Sequence, residues 1–188
     1  MIPRMRTPST LLAATLLLAC STCTPAADPW PCRALLGPGA GPSDVQELQQ
    51  ILDEVRTALY VGDADLAITL EPHTDRTSFF AANLDTDTIS FEPRERAYRV
   101  YYLPALFDDP PPRAAVAAIL AHEVEHVRDY AGMDTDTLVE FALGYALSDD
   151  NSAYERATDL KAMERGCAAG LVQYREWLYD RLASDPEA

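Results

Sequence analysis

The sequence RAAVAAILAHEVEHVRDYAG, residues 113–132, contains the pattern His122-Glu123-Val124-Glu125-His126. On an α-helix, side chains four positions apart lie one turn apart on the same face. His122 and His126 can therefore direct two imidazoles at one metal ion, with Glu123 beside them. This HExxH arrangement is typical of two zinc ligands and a carboxylate that moves protons on water. The chain has only three histidines, and two of them are in this pattern.

The residues on either side of this pattern predict a helix from Arg113 to Gly132. Residues 110–112 are three prolines, which exclude a helix up to that point and suit the first turn of the one that follows. Gly132 is typical of the residue that ends a helix. Glu125 and Arg128 are expected to face solvent. An apolar stripe at helical spacing consists of Val116, Leu120, Val124 and Val127.

The part of the chain before the prolines predicts one helix and a small sheet. Ser43 is the expected N-cap of a helix with apolar residues at helical spacing, and Gly62 and Asp63 end it. The sequence then changes to short stretches rich in β-branched and aromatic residues, which predict strands at 66–70, 78–84, 88–91 and 97–103. Residues 85–87 (Asp-Thr-Asp) are expected to form a hairpin turn between two of them.

Further helices are predicted after the HExxH segment, at 134–147, 152–166 and 171–182. In the second of these, Ser152 is the expected N-cap and Glu155 stands where a capping box needs it. The chain has 188 residues, which is the length of one domain, and it contains no internal repeat. We therefore expect a single α+β domain over residues 43–188. A short, mostly antiparallel sheet would pack on the HExxH helix, with two or three further helices after it.

The N-terminus has the features of an export signal. Arg4 and Arg6 form a positively charged region, and Leu11–Ala19 form an apolar segment that is too short to span a bilayer as a helix. The sequence therefore predicts that the protein acts outside the cytoplasm. Compartments outside the cytoplasm are oxidising and favour disulfides over free thiols.

The end of the apolar segment also predicts a lipid anchor. Residues 17–20, Leu-Leu-Ala-Cys, resemble the lipobox of bacterial lipoproteins, in which the cysteine is lipidated and becomes the mature N-terminus. The resemblance implies a signal peptide over 1–19, attachment to a membrane through Cys20, and a proline-rich tether over 20–42. Cleavage near Ala27 followed by secretion is the alternative.

The four cysteines are too widely spaced for a zinc-finger pattern, so the expected export favours a disulfide. If Cys20 is lipidated, three cysteines are left for one bridge. The preferred pairing is Cys32 with Cys167, which joins the start of the domain to its last third. The pairings Cys23–Cys32 and Cys23–Cys167 stay open.

The charge balance argues against nucleic acid as a partner. The chain has 30 acidic and 15 basic residues and a formal net charge of −15. Such a surface repels a phosphate backbone, because nucleic-acid binding depends on neutralising phosphates with lysine and arginine. We therefore expect no nucleic-acid partner.

A catalytic zinc ion usually has three protein ligands, so one more must come from outside the HExxH pattern. The acidic candidates downstream are Glu140, Glu155, Asp159 and Glu164. Glu155 is preferred because Asp159 lies one turn later on the same helical face. This E-x-x-x-D pair resembles the second motif of the gluzincin metallopeptidases, the thermolysin-like and related zincins. The resemblance implies that Glu155 binds one catalytic Zn²⁺ with His122 and His126, and that Asp159 orients His122.

The resemblance to gluzincins covers two short motifs within residues 120–159. It implies a zincin-like domain in which the strand at 97–103 is the edge strand that binds an extended substrate. The chain departs from the larger thermolysin-like enzymes because it lacks a second domain. It also differs from metzincins, since Asp129 and Gly132 stand where that motif needs glycine and histidine.

The leading hypothesis is an exported zinc metallopeptidase that hydrolyses a protein or peptide substrate. Glu123 would accept a proton from zinc-activated water and pass it to the leaving amine. Asp129 is a further candidate to support a ligand. The donor that stabilises the oxyanion stays open among Tyr145, Tyr154 and His73. The alternatives are a non-catalytic lipoprotein that uses zinc for structure or partner binding, and a zinc hydrolase acting on a non-peptide bond.

Overall fold

A computed structural model of the chain describes residues 32–35, 37, 39–74, 77–148 and 150–184. The predicted signal peptide and the predictions for Cys20 and Cys23 lie outside these residues. The helices are α1 (Cys32–Leu35), α2 (Val45–Leu59), α3 (Arg113–Ala131), α4 (Thr135–Leu147), α5 (Ser152–Glu164) and α6 (Ala168–Ser184). The strands are β1 (Ala67–Pro72), β2 (Phe80–Leu84) and β3 (Ala97–Tyr102). The predicted α+β class is confirmed.

The three strands form a mixed sheet in the order β1-β3-β2. β1 runs parallel to β3, with Ala67 opposite Ala97, whereas β2 runs antiparallel to β3, with Phe80 opposite Tyr102. One of the two pairings is thus parallel, where the sequence predicts mostly antiparallel ones. The prediction that residues 97–103 form the edge strand is wrong, because β3 inserts between the other two strands. β2 instead lies at an edge of the sheet.

The predicted strand at 88–91 is also wrong. Residues 86–88 form a short 3₁₀ turn, and Asp85 caps it by accepting the backbone N–H of Asp87 at 3.1 Å. The Thr88 hydroxyl donates to the Asp85 carbonyl and accepts the N–H of Ala97. Asp and Thr side chains bond to nearby backbone in this way, which offers the chain an alternative to strand pairing. The segment between β2 and β3 is therefore closed by these hydrogen bonds from Thr88 and does not form a strand.

Helix α3 is the centre of the fold. It begins directly after Pro112, as predicted, and every residue from 114 to 127 is buried. It packs against α2, α5, α6 and β2. Small side chains on several sides permit these close approaches, at Ala114, Ala115, Ala117, Ala118 and Ala121. Within the described residues, no helix has both the length and the apolar content needed to cross a membrane.

A disulfide joins Cys32 to Cys167, which confirms the preferred pairing. The two cysteines are 135 positions apart in the chain, and their Cα atoms lie 5.3 Å apart. Both are fully buried. Gly166, directly before Cys167, has φ of 89°, a left-handed conformation that glycine adopts without steric cost. The bridge attaches α1, which lies in the segment expected to be a tether, to the turn between α5 and α6.

The prediction that Glu125 faces solvent is wrong. Its side chain is 1% exposed, and its carboxylate accepts hydrogen bonds from Arg128 at 2.7 Å and from Arg165. The Arg165 guanidinium also donates to the Leu59 carbonyl and lies 4.2 Å from the ring centroid of Tyr60. Glu125 therefore belongs to a buried ion cluster that joins the end of α2 to α3 and α5.

Replacing Glu125 with glutamine should destabilise the fold, because it removes the charge that Arg128 and Arg165 share while keeping the shape of the side chain. We expect the free energy of unfolding to fall by about 3 kcal/mol, the low end for losing one partner of a buried ion pair, since both arginines keep contact with water. Urea unfolding followed by circular dichroism measures the change.

The matched control for this variant is Glu164→Gln, an exposed residue at the rim of the same ion cluster. It should change the free energy of unfolding by less than about 0.5 kcal/mol. Equal losses in Glu125→Gln and Glu164→Gln would contradict a specific structural role for the buried carboxylate.

Candidate metal centre

Three side chains from two helices meet at one point. His122 and His126 lie one turn apart on α3, and Glu155 comes from the first turn of α5. The distance between the two Nε2 atoms is 3.0 Å. Oε2 of Glu155 lies 3.3 Å from Nε2 of His122 and 3.4 Å from Nε2 of His126. Among the described residues, this is the one group of histidine, cysteine and acidic side chains close enough together to hold a metal ion.

The three ligand atoms fit a metal ion in size and in chemistry. With metal–ligand bonds of about 2.0–2.1 Å, tetrahedral coordination places ligand atoms about 3.3–3.4 Å apart. The distances of 3.0, 3.3 and 3.4 Å are close to this value, and only the histidine pair must open slightly. Two imidazoles and a carboxylate form a donor set typical of transition-metal sites. The group can therefore hold a metal ion.

Glu155 is held in place by a tyrosine and not by a helix cap. The predicted capping box is wrong, because the N-cap of α5 is Asn151, and the N–H of Ser152 is bonded to Asp150 at 2.8 Å. The Tyr145 hydroxyl donates to Oε1 of Glu155 at 2.9 Å, which leaves Oε2 to the histidines. Bonds from His122 and His126 lower the pKa of Glu155 well below its usual range. The carboxylate is thus charged and ready to bind a cation.

His122 has an acidic partner on its other ring nitrogen. Oδ1 of Asp159 lies 2.9 Å from Nδ1 of His122, and neither atom has another partner within the described part of the chain. The approach has the length of a hydrogen bond but not its ideal direction. Burial alone lowers the pKa of His122, yet Asp159 and Glu155 outweigh it and raise the pKa to about 9. A metal ion would replace the proton that these charges attract.

Asp159 is in turn contacted by a cation from α6. The Arg175 guanidinium lies 3.3 Å from Oδ2 of Asp159. Burial raises the pKa of Asp159, but the bond to His122 and the charge of Arg175 prevail and lower it. Asp159 thus lies behind His122, which is where the resemblance of the E-x-x-x-D pair to the gluzincin motif places it.

His126 has a different kind of partner, which the sequence did not predict. The Tyr154 hydroxyl lies 3.0 Å from Nδ1 of His126. If Nε2 binds a metal, Nδ1 carries the proton and donates it to the tyrosine oxygen. Burial raises the pKa of Tyr154, and Tyr130 and Asp129 raise it further, so the phenol stays neutral. Tyr154 directly precedes Glu155 in the chain. The first turn of α5 therefore supplies one ligand, Glu155, and also the side chain that orients a second ligand, His126.

Glu123 lies beside the ligand group and is not part of it. Its side chain is buried, and burial is the main cause that raises its pKa. The charges of His122 and His126 and the backbone N–H of Ala82 act in the opposite direction. A carboxylate in such surroundings is a stronger base than one in water. Glu123 can therefore take up a proton next to a bound metal.

His122 and Glu155 of the ligand group line a cleft of about 250 Å³ between β2 and α6. Tyr174 of α6 lines this cleft, and its phenol is buried next to Phe80. Burial and the charge of Glu123 raise the pKa of Tyr174, which keeps its hydroxyl protonated. Within the described residues that hydroxyl makes no hydrogen bond. The helical spacing of α6 marks Tyr174 only as a core residue, so sequence reasoning missed its place in the cleft.

Four other candidates lie outside the ligand group. Asp129 is bonded to Lys161 at 2.6 Å, and both Glu140 and Glu164 are exposed on their helices. His73, one of the three possible oxyanion donors, is half-buried in the connection after β1, with its ring 6.1 Å from that of Tyr101. None of the four contributes to the metal-binding group found among the described residues.

Removing the Tyr145 hydroxyl should weaken metal binding without removing a ligand. In Tyr145→Phe, Oε1 of Glu155 loses the donor that orients it, so we expect zinc affinity to fall about 10-fold, the low end for a residue that positions a metal ligand. Calorimetric titration of the metal-free protein with Zn²⁺ measures the affinity and should give one ion per chain.

The matched control is Tyr179→Phe, since Tyr179 is exposed on α6. Its zinc affinity should equal that of the wild type. Wild-type affinity in Tyr145→Phe would show that the bond to Glu155 does not support metal binding.

The candidate metal centre thus consists of three ligands on α3 and α5. Asp159, Tyr145 and Tyr154 hold those ligands, and Glu123 lies beside them in the cleft. No protein-family model, curated protein or solved structure matches this chain.

Proposed function

We propose that the protein is a zinc-dependent metallopeptidase that hydrolyses peptide bonds. His122, His126 and Glu155 would bind one Zn²⁺, and Glu123 would act as the general base. The observation that carries the proposal is the position of Glu123. Glu123 is buried and lines the same cleft as His122 and Glu155, yet it takes no part in the ligand group. A site that only stabilised the fold would have no need for a fourth ionisable group there.

Zinc is the metal that the donor set supports best. Two histidines and one glutamate are a known ligand set of catalytic zinc, which keeps its fourth position for water or substrate. When bound, zinc supplies Lewis acidity, polarising a carbonyl group and lowering the pKa of water to about 7. The group of three ligands among the described residues is consistent with such an open site.

Glu123 would move the protons of the reaction. A water molecule attacks the carbonyl carbon of the peptide bond, and the Glu123 carboxylate accepts the proton that the water loses. When the C–N bond breaks, the same carboxyl group gives that proton to the amine nitrogen. The raised pKa of Glu123 suits both steps, because it makes the carboxylate a better base and keeps the transfer reversible.

Tyr174 is the donor best suited to the carbonyl oxygen of the substrate. Tyr145 and Tyr154, the tyrosines suggested by the sequence, are already bonded to Glu155 and His126. Within the described residues the Tyr174 hydroxyl has no such bond, and Tyr174 lines the cleft that contains Glu123. A neutral donor placed at a developing oxyanion stabilises the transition state more than the ground state.

The edge of the sheet supports a polypeptide as the substrate. The N–H of Leu103 bonds to the Phe79 carbonyl, and the N–H of Asp85 bonds to the Ala97 carbonyl. In an antiparallel pair such bonded residues alternate with unbonded ones. The backbone groups of Phe80, Ala82 and Leu84 on β2 therefore point away from β3.

Such an edge can pair with an added strand. Ala82 lies next to the general base, since its N–H points at the Glu123 carboxylate. An extended peptide paired with β2 would thus run past Glu123. This arrangement favours peptide bonds over other hydrolysable bonds.

We also propose that the protein works outside the cytoplasm, anchored to a membrane through a lipid on Cys20. The leader sequence supports this, and so does the Cys32–Cys167 disulfide, because such bridges form and persist in oxidising compartments. The negative surface suits a protein whose partners are proteins or peptides and not nucleic acids.

Replacing Glu123 with glutamine should abolish peptide hydrolysis and leave the metal site intact. The amide keeps the shape of the side chain but cannot accept the proton, so we expect kcat/KM to fall by at least about 100-fold. The measurement is cleavage of an unfolded protein by the zinc-loaded, full-length chain, together with its zinc content.

The control for this variant is Glu140→Gln, an exposed change on α4 that should keep full activity. Undiminished cleavage by Glu123→Gln would refute the assigned base. If the wild type binds zinc but cleaves no protein or peptide, the non-catalytic zinc-binding alternative would replace the peptidase proposal.

Tyr174→Phe should lower the turnover number and leave substrate binding almost unchanged. Loss of one donor to an oxyanion costs about 100-fold or more in kcat. Steady-state kinetics that separate kcat from KM test the assignment. A change confined to KM would show that Tyr174 only shapes the cleft.

A further inference from the structure

A second cavity lies on the other side of Tyr145 from the metal-binding group. It measures about 310 Å³ and is bounded by the outer side of β2, the turn that follows β2, and helix α4. Its lining is largely apolar and includes Leu84, Ile89, Leu138, Phe141 and Ala142. Helix α4 stands away from the sheet here, since Leu138 is its one fully buried residue.

Two tyrosines lie between the cavity and the metal centre. Tyr145 lines the cavity with its ring and bonds to Glu155 with its hydroxyl. Tyr130 also lines it, and its ring stacks on that of His126 with the centroids 6.3 Å apart. One layer of aromatic rings therefore separates the cavity from the ligands. Anything bound in the cavity would lie within a few residues of a peptide bond at the metal.

The edge of β2 passes along both the metal cleft and this cavity. Phe80 lines the cleft with the metal ligands, whereas Ala82 and Leu84 line the apolar cavity. These three residues have backbone groups that point outward from the sheet. Successive side chains of a strand point to opposite faces, so every second side chain of a strand paired with them would point toward the cavity wall. The backbone geometry thus brings a substrate side chain to the mouth of the cavity.

We propose that this cavity is a specificity pocket, which binds one large apolar side chain of an extended polypeptide paired with β2. The inference rests on the proposed function and adds the class of substrate residue that the enzyme selects. The pocket lies on one side of Glu123, so the selected residue occupies one fixed position on one side of the cleaved bond.

The size and chemistry of the pocket favour an aromatic or long aliphatic side chain. An engineered apolar cavity of about 150 Å³ is large enough to bind benzene, so 310 Å³ accommodates a phenyl or indole group. Charged side chains would have to leave water for an apolar lining, at a cost that the pocket does not offset. The apolar lining of the pocket, and not the acidic surface of the protein, therefore selects the residue that enters the pocket.

The test measures peptide binding separately from cleavage. The full-length, zinc-loaded chain carrying Glu123→Gln is titrated into fluorescent alanine-rich peptides in which a single phenylalanine is moved from position to position. Fluorescence anisotropy gives the dissociation constants. We expect one position of phenylalanine to tighten binding about 10-fold or more relative to the all-alanine peptide, because an apolar side chain is buried there.

Filling the pocket should remove this preference. Ala142→Trp projects an indole into the pocket and should make the two kinds of peptide bind alike. Ala146→Trp places the same side chain one turn later on α4, outside the lining, and should keep the preference. Thr86→Trp fills the pocket from the opposite wall and replaces Ala142→Trp if that variant does not fold.

The outcomes separate this proposal from the proposed function. A preference for phenylalanine that is lost in Ala142→Trp supports the pocket. This holds even if the wild type cleaves none of the peptides and the peptidase proposal fails. Cleavage by the wild type with no effect of phenylalanine, or a preference that survives in both pocket-filling variants, overturns the pocket and leaves the peptidase proposal standing.

Discussion

The burial of four ionisable side chains within one stretch of α3 is the constraint on which the rest of the structure depends. His122, Glu123, Glu125 and His126 are each at most 5% exposed, and the other residues of the buried stretch 114–127 are all apolar. A buried charge without a partner costs several kcal/mol, so the surrounding elements must supply partners. Glu125 has two arginines, and each histidine has a polar partner on its other ring nitrogen. Glu123 interacts with the two histidines and with the backbone N–H of Ala82, and it is the group to which we assign the chemistry.

Those partners explain how the helices are arranged around α3. Helix α5 contributes to both sides of α3, since its first turn supplies Glu155 to the histidines and Arg165 follows its last turn to reach Glu125. The Cys32–Cys167 bridge fixes the chain two residues after this arginine. A displacement of α5 would therefore break the ion cluster and the metal site together. The stability of the fold and the proposed metal binding therefore depend on the same helix.

The features that follow from helical spacing could be predicted from the sequence, and those that depend on tertiary packing could not. The four-residue spacing places His122 with His126, and Glu155 with Asp159, on shared faces whatever the fold. The burial of Glu125 depends on an arginine 40 positions away, which no local pattern indicates. Sheet order is equally non-local, so β3 could be predicted as a strand but not as the central one. The supporting tyrosines, such as Tyr154, depend on contacts between helices.

If α3 and α5 together hold one zinc ion in an open site, zinc-edge X-ray absorption of the full-length protein should detect that coordination. We expect a single zinc ion with two imidazoles and only nitrogen and oxygen ligands, at about 2.0–2.1 Å. In Glu155→Ala the zinc should be lost or one oxygen ligand replaced, with both imidazoles kept. A sulfur ligand at about 2.3 Å, or a spectrum that Glu155→Ala leaves unchanged, would contradict the account.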